Sequence, residues 1–186
     1  MTRLETKRMI LRPLDITDAE AMYRNWASDL KVAQFISHGF CNSVEAAQQR
    51  INQWLDNFSK LPAGSAWHIF AMQLKSGGEL IGTIDYYENN RDAHAAEIGY
   101  EIGSAWWGNG YATEALRAVI NHCFEEVGLK RLWADCNSLN MASAKVMLKS
   151  GMLHEGTFRQ CSMRNGVLVD RLCYAILKQD WENQNT

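Results

Sequence analysis

Hydrophobic residues recur along this chain with two periods, and the period predicts the element. Ala112, Ala115, Leu116, Val119, Ile120, Cys123, Phe124 and Val127 form a continuous i, i+3, i+4, i+7 stripe. This predicts an amphipathic helix. Gly128 is placed to cap its C-terminus, and Lys130 and Arg131 follow near the negative end of its dipole. Val44, Ala47, Ile51, Trp54, Leu55 and Phe58 share a second helical face. That helix is predicted to start near Asn42 or Ser43, with Asn42 and Glu45 spaced as a capping box, and to end at Pro62-Ala63-Gly64. Thr17 or Asp18 can cap a helix running to about Ser28, and a short helix is predicted from Asn140 to Ser150, with Gly151 as its cap.

Between these lie strand-like runs. Met9 to Leu11 is stopped by Pro13. Residues 67–74, 80–87 and 95–102 are separated by Ser76-Gly77-Gly78 and a polar loop at 89–92, short connections that favour an antiparallel meander. Residues 131–136 read as a strand. Residues 153–161 and 167–177 read as a closing hairpin around Arg164-Asn165-Gly166. Helices alternating with strands after a meander imply an α+β fold, with a mixed, largely antiparallel sheet of about seven strands and helices on both faces. The 186 residues carry no linker or repeat, so residues 1–186 are expected to be one domain, with a frayed polar tail over 182–186.

Composition narrows the function classes. A net charge of -2 argues against a surface that neutralises nucleic-acid phosphates. No apolar run is long enough to span a membrane, and the N-terminal residues lack the apolar core of a secretion signal, so a cytoplasmic location is expected. The five cysteines form no C-x-x-C pair and the histidines have no metal-binding spacing, so a reduced protein without a metal is expected.

The stretch Trp106-Trp107-Gly108-Asn109-Gly110-Tyr111-Ala112-Thr113 joins a strand to the long helix. Glycines there let backbone N–H groups approach a ligand, and the unpaired first-turn donors and helix dipole suit a phosphate or pyrophosphate. A tight loop with no ligand is the plain alternative. There is no nucleotide triphosphatase loop and no dinucleotide fingerprint. Asn140 and Ser143, read alone, are an N-cap and a first-turn serine.

In order and spacing these features resemble the GCN5-related N-acetyltransferase family. Trp107-Gly108-Asn109-Gly110-Tyr111-Ala112 is similar to its diphosphate pattern, Gln/Arg-x-x-Gly-x-Gly/Ala, except at Trp107. Ala96-Glu97-Ile98-Gly99-Tyr100, Gly110-Tyr111-Ala112-Thr113-Glu114-Ala115, Asn140-x-x-Ser143, Ser150-Gly151-Met152, Glu155-Gly156, the Asn165-Gly166 hairpin and the opening Arg8-Met9-Ile10-Leu11-Arg12-Pro13-Leu14 resemble the branch that includes ribosomal-protein N-terminal acetyltransferases.

The resemblance implies acetyl-coenzyme A as cosubstrate. Its pyrophosphate would meet Trp107, Gly108, Asn109, Gly110, Tyr111, Ala112 and Thr113. Its pantetheine arm would lie between strands 95–102 and 131–136 on the backbone of Tyr100, Glu101 and Ile102. Asn140 would bind the coenzyme, and Ser143 would protonate, or hydrogen-bond, the departing thiolate. Other branches place a tyrosine four residues after the serine, but here Met147 stands there. For the base, Glu97 and Glu101 alternate onto one strand face, and Asp85 and Asp170 follow. A glutamate found in some ribosomal-protein acetyltransferases would align with Ser162. The acceptor groove is expected between residues 29–40 and 159–169, with Phe35, His38, Phe40, Asp85 and Asp170 near substrate.

An α-amine is the least demanding acceptor. With a pKa of about 7.7–8, roughly 10% is neutral at pH 7, against about 0.04% of a lysine. The branch this chain resembles implies a peptide or ribosomal-protein N-terminus first, and a polyamine, aminoglycoside or amino acid next. A non-catalytic coenzyme A sensor is the reading from another class. The partners expected are acetyl-coenzyme A and the amine, with no nucleic acid or membrane, in a monomer or homodimer.

Overall fold

A computed structural model describes residues 2–36, 38–60, 67–90, 93–164 and 166–184, except the side chains of Phe58, Ser59, Asn89 and Asn90. Among these, β1 (Leu4–Glu5), β2 (Met9–Pro13), β3 (Trp67–Leu74), β4 (Leu80–Asn90), β5 (Ala95–Ile102), β6 (Arg131–Asn137), β7 (Leu153–Arg164) and β8 (Val167–Leu177) form one sheet. Their order is β1-β2-β3-β4-β5-β6-β8-β7. Every neighbouring pair is antiparallel except β5 and β6, which run parallel.

That one parallel junction is short. β5 meets β6 only at Ala95↔Arg131, Ala96↔Leu132 and Glu97↔Trp133. Past Glu97 the two strands diverge, yet each stays paired on its outer side. β5 holds β4 as far as Gly82↔Ile102, and β6 holds β8 as far as Asn137↔Arg171. The result is a wedge with rigid walls, whose inner edges carry backbone groups that no neighbouring strand uses.

Helices cover both faces. α4 (Tyr111–His122) and α5 (Met141–Lys149) pack with Ile84, Tyr86, Ile98, Leu132, Ala134 and Ile176 in one buried core. α1 (Ala19–Met22), α2 (Leu30–Ala33) and α3 (Val44–Ser59) pack over Ile69, Ala71 and Leu80 in a second.

The architecture is the one expected, with one more strand than the seven read from the pattern. Several local expectations change. The first helical segment is capped by Asp15, not Thr17 or Asp18. Asp15 accepts from the Thr17 N–H at 2.9 Å, and Asp18 returns the bond to the Asp15 N–H. Asp18 is available for this because the two terminal guanidinium nitrogens of Arg12 hold it. Ser43 caps α3 by accepting from the Ala46 N–H at 3.2 Å, so the Asn42–Glu45 box does not supply the cap. Leu55 is 41% exposed, off the buried Ala47–Ile51 stripe. Val127 also leaves its predicted face. The last turn of its helix, residues 123–127, widens to the π form, which rotates later residues away from the core. Residues 182–184 of the tail read as frayed belong to a helix, α6 (Lys178–Gln184). Trp181 there packs on Phe124 and donates to Asn121. Pro62-Ala63-Gly64, the Arg91–Asp92 part of the polar loop and Asn165 of the hairpin lie outside the described residues.

Candidate active site

The wedge, the loop before α4 and the start of α5 converge on one another. Gly108 and Gly110 hold φ of +77° and +79°, a left-handed conformation that side chains resist. Gly110 is the N-cap of α4, and no side chain caps that first turn. The N–H groups of Tyr111, Ala112 and Thr113 therefore face outward with the dipole behind them, a cradle whose donor set fits a pyrophosphate. Asn109 closes the loop by donating to the carbonyls of Trp106 and Trp107. The Trp107 indole, 40% exposed, folds back and donates to the Ile102 carbonyl at 2.8 Å, tying the loop to the end of β5.

Arg8, quoted above only as part of a resemblance, is built into this loop. Its guanidinium sits 4.2 Å from the centre of the Tyr111 ring and donates to the Asn109 carbonyl at 2.9 Å. Glu114 takes its Nε at 2.6 Å and its backbone N–H at 2.8 Å. A single side chain thus ties the middle of the glycine loop to the first turn of α4 from behind. The only signal in the sequence was a lone arginine before a strand, which does not reveal a partner a hundred positions away.

On the helix side of the wedge, Asn140 caps α5 by accepting from the Ser143 N–H at 3.1 Å. The Ser143 hydroxyl lies 2.8 Å from the Tyr100 hydroxyl, either of which can be the donor, and the Ser143 carbonyl, 3.1 Å away, is a second acceptor within reach of the one Tyr100 proton. Met147 is fully buried.

On the opposite face, side chains from β3 to β6 line a cavity of about 460 Å³. Phe35, Ile36, Trp54, Trp67 and Ile69 give it apolar and aromatic walls, and Asp85, Glu97, Glu101 and Asp135 give it an acidic floor. These four carboxylates differ in what they touch. Asp135 is paired with Arg171. Glu101 is buried and accepts from the Trp26 indole at 2.8 Å and from Thr83, and it meets His38 Nε2 at 3.0 Å. Burial pushes its pKa up, but His38, Trp26 and Arg50 more than offset this and hold it below the usual glutamate value. His38 stands edge-on to Trp54, and its carbonyl is held by Arg50.

Asp85 and Glu97 make no salt bridge among the described residues. Burial, then the nearby Asp135, raises Glu97 against the pull of Arg171. Asp85 is pushed up to about 7. Burial is the main cause, the Trp67 indole bond opposes it, and the charges of Glu101 and Glu97 add to it. That indole holds Asp85 Oδ2 at 2.7 Å. Oδ1 lies over Gly99, where an added Cβ would come within 2.8 Å of it. The glycine in the middle of β5 makes room for this carboxylate.

The structure thus brings Phe35, His38, Asp85, Glu97 and Glu101 to one cavity, which Tyr100 also borders from β5 while its hydroxyl turns to Ser143 on the other face. Asp170 does not line it. Its carboxylate accepts from the Gln160 N–H and satisfies the bulge in β7, where Gln160 has φ of +51°. Phe40 points largely into solvent, at 47% exposure, and Ser162 lies in the same bulged stretch of β7. Among the described residues no cluster of metal-binding side chains occurs, and no helix is long and apolar enough to cross a membrane.

A glycine cradle for pyrophosphate, a parallel strand pair splayed beside it and a hydroxyl at the wedge define an acyltransferase that draws its acyl group from coenzyme A. The comparisons give the family. A family model for the acetyltransferase (GNAT) domain matches residues 8–153. An uncharacterized N-acetyltransferase of Bacillus subtilis (strain 168), YoaA, is 35% identical over 175 residues, covering 94% of this chain and 96% of its own. A GNAT-family acetyltransferase from Bacillus anthracis has the same fold, with a TM-score of 0.83 and 28% identity over 96% of this chain and 99% of that one. RimL, a ribosomal L7/L12 alpha-N-protein acetyltransferase solved with coenzyme A, shares the fold at a TM-score of 0.82 and 19% identity, covering 95% and 98% of the two chains. The chain belongs to the GNAT family and is an acetyl-coenzyme A-dependent N-acetyltransferase.

Proposed function

We propose that this enzyme moves the acetyl group directly onto a primary amine, and that its acceptor is the N-terminal amine of a peptide or protein. One observation carries the reading. The wedge between β5 and β6 has the Ser143 hydroxyl on one side and the acidic, aromatic cavity on the other. A thioester held along the wedge meets an amine arriving through the cavity.

The roles of the chain's own groups follow from their surroundings. Residues 107–113 hold the pyrophosphate, and the free edge of β5 at Tyr100 and Ile102 pairs with the amides of the pantetheine arm, the backbone of Glu101 between them facing β4. A backbone N–H of that edge also faces the carbonyl oxygen on which charge develops. Ser143 donates to the sulfur. Asp85 is the proton acceptor, directly or through one water, because its pKa of about 7 balances ionisation against basicity at neutral pH. Glu97 is the next candidate. Glu101 is engaged by Trp26, Thr83 and His38, which suits it to holding the cavity wall and His38.

Asp85 and Glu97, which make no salt bridge among the described residues, and the tryptophan walls around them favour a cationic ammonium in the cavity. An α-amine then needs the least help to lose its proton. RimL's recorded acceptor is a protein N-terminus, and its shared fold is consistent with this choice.

A thiol-release assay against N-terminal peptides, polyamines, aminoglycosides and amino acids tests the proposal, with mass spectrometry locating the added acetyl. Turnover confined to peptides, with the acetyl on the α-amine, is the expected result. Turnover confined to small amines would reassign the acceptor. Coenzyme A binding without thiol release from any amine would leave a sensor in place of an acetyltransferase.

A further inference from the structure

Met147 stands where related enzymes offer a tyrosine hydroxyl to the leaving sulfur, and it has no proton to give. The fold supplies a phenol from elsewhere. Tyr100 comes from β5, across the wedge from α5, and its hydroxyl is 2.8 Å from Ser143 Oγ. We propose that Tyr100 is a positioning residue for acyl transfer: its O–H donates to Ser143 Oγ, leaving the Ser143 O–H directed at the sulfur in the wedge. The proposal rests on the reading of Ser143 as the group that meets the sulfur.

The physics favours this direction of donation. Burial raises the Tyr100 phenol above an ordinary tyrosine, more than its bond to Ser143 lowers it, so it keeps its one proton, and Oγ at 2.8 Å is the nearer acceptor for it than the Ser143 carbonyl at 3.1 Å. A first-turn serine without such a partner turns its hydroxyl onto a carbonyl of its own helix. With Tyr100 donating to it, Oγ is held and its own proton is polarised outward. During transfer the amine nitrogen forms the new C–N bond and the C–S bond breaks, its electron pair passing to sulfur. The proton lost by the amine leaves through the acidic cavity. Ser143 and Tyr100 keep their protons and stabilise the thiolate by hydrogen bonding, and solvent protonates the sulfur afterwards.

The test uses free coenzyme A, whose thiol ionises near the usual 8.5. Calorimetry from pH 7.5 to 9.5 would compare coenzyme A with desulfo-coenzyme A for wild type, Tyr100→Phe and Ser143→Ala. Other groups face this hydroxyl pair. Cys136 on β6, whose thiol is also within hydrogen-bonding reach of the Ser143 side chain, is pushed up to about 11 by burial, and Tyr174 on β8 is raised, so both stay protonated over most of the window. Lys145, on α5 itself, is exposed. Asp85 on β4, on the other face of the sheet, is pushed up to about 7, and the desulfo ligand cancels its contribution.

Wild type is expected to bind coenzyme A about tenfold more tightly at pH 9.5 than at 7.5, relative to the desulfo ligand. Tyr100→Phe should lose most of that gain while binding desulfo-coenzyme A within twofold of wild type. In turnover it should lower kcat about tenfold with KM for acetyl-coenzyme A nearly unchanged, and Ser143→Ala/Tyr100→Phe should be no worse than Ser143→Ala alone. A Tyr100→Phe protein that keeps the pH-dependent gain, or weakens both ligands equally, overturns the proposal and leaves Tyr100 as packing. The binding arm needs no acceptor, so it reports on Tyr100 even if no amine is acetylated.

Discussion

Asp85 is held in a state that costs the fold stability, and replacing it by asparagine measures how much. Raising a carboxyl from 3.8 to about 7 corresponds to about 4 kcal/mol against the ionised form. The native state then binds the proton more tightly than the unfolded chain. Stability therefore falls as pH rises from 3.8 to about 7, and the full cost is present above 7. Asparagine matches the shape, carries no charge and offers an oxygen to the Trp67 indole. Solvent in the open cavity screens part of the effect, so Asp85→Asn should gain about 2–4 kcal/mol at pH 8. The gain should shrink to about a third of that at pH 5 and vanish below the ordinary carboxylate range. Urea unfolding of both proteins at pH 8, 5 and 3.5 gives these differences. The same variant should lose tenfold or more in kcat, with the acidic limb of its pH profile flattened. An equal gain at every pH would show that asparagine merely packs better. No gain at pH 8 would show that Asp85 is not strained, and full activity would remove it as the base.

Two further outcomes follow from the clamp and the anchored glutamate. Arg8→Ala frees the Asn109 carbonyl and unpairs Glu114, so KM for acetyl-coenzyme A should rise about tenfold with kcat within a factor of two, and steady-state kinetics would show it. Glu101→Gln leaves Trp26 and His38 with a weaker acceptor and should destabilise the fold by about 1–3 kcal/mol at pH 7. Because the pKa of Glu101 is lowered by folding, that difference should disappear as pH falls through its native value. Melting curves at pH 7 and below 4 would reveal a pH-independent loss if packing alone were responsible.

Regular elements were legible because periodicity reports burial directly. The bounds of β3, β5 and β8 match the predicted runs to the residue. The loop before α4 was legible because left-handed backbone leaves glycines in the sequence. What escaped depends on distance along the chain. Arg8 and Glu114 are 106 positions apart, and Tyr100 and Ser143 are 43 apart. No local pattern marks such pairs. The environments of the carboxylates were hidden for the same reason. Glu97 and Glu101 look equivalent on an alternating strand, but only Glu101 is met by Trp26 and His38, two residues from distant helical and loop segments. Asp170 was misread because a bulge consumes its carboxylate, and bulges carry no reliable signature outside glycine.

The alternation of one strand explains why the site is where it is. In β5, Glu97, Gly99 and Glu101 face the cavity, while Ile98, Tyr100 and Ile102 face the helices. Between the two faces runs the backbone edge that β6 abandons after Glu97. A single six-residue stretch therefore presents the acceptor side, the thioester side and the free amide edge at a fixed spacing. A one-residue slip of β5 against β4 would exchange the two faces, turn the Tyr100 side chain into the cavity and bury Glu97 against α4. Gly99 guards this register, since only Gly opposite Asp85 leaves its carboxylate room. Gly99→Ala should accordingly cost activity through Asp85, by forcing the carboxylate off the strand and away from the Trp67 indole. The double variant Gly99→Ala/Asp85→Asn should then be no less active than Asp85→Asn alone. Independent, additive losses in kcat would mean that the glycine serves the wedge itself and not the carboxylate above it.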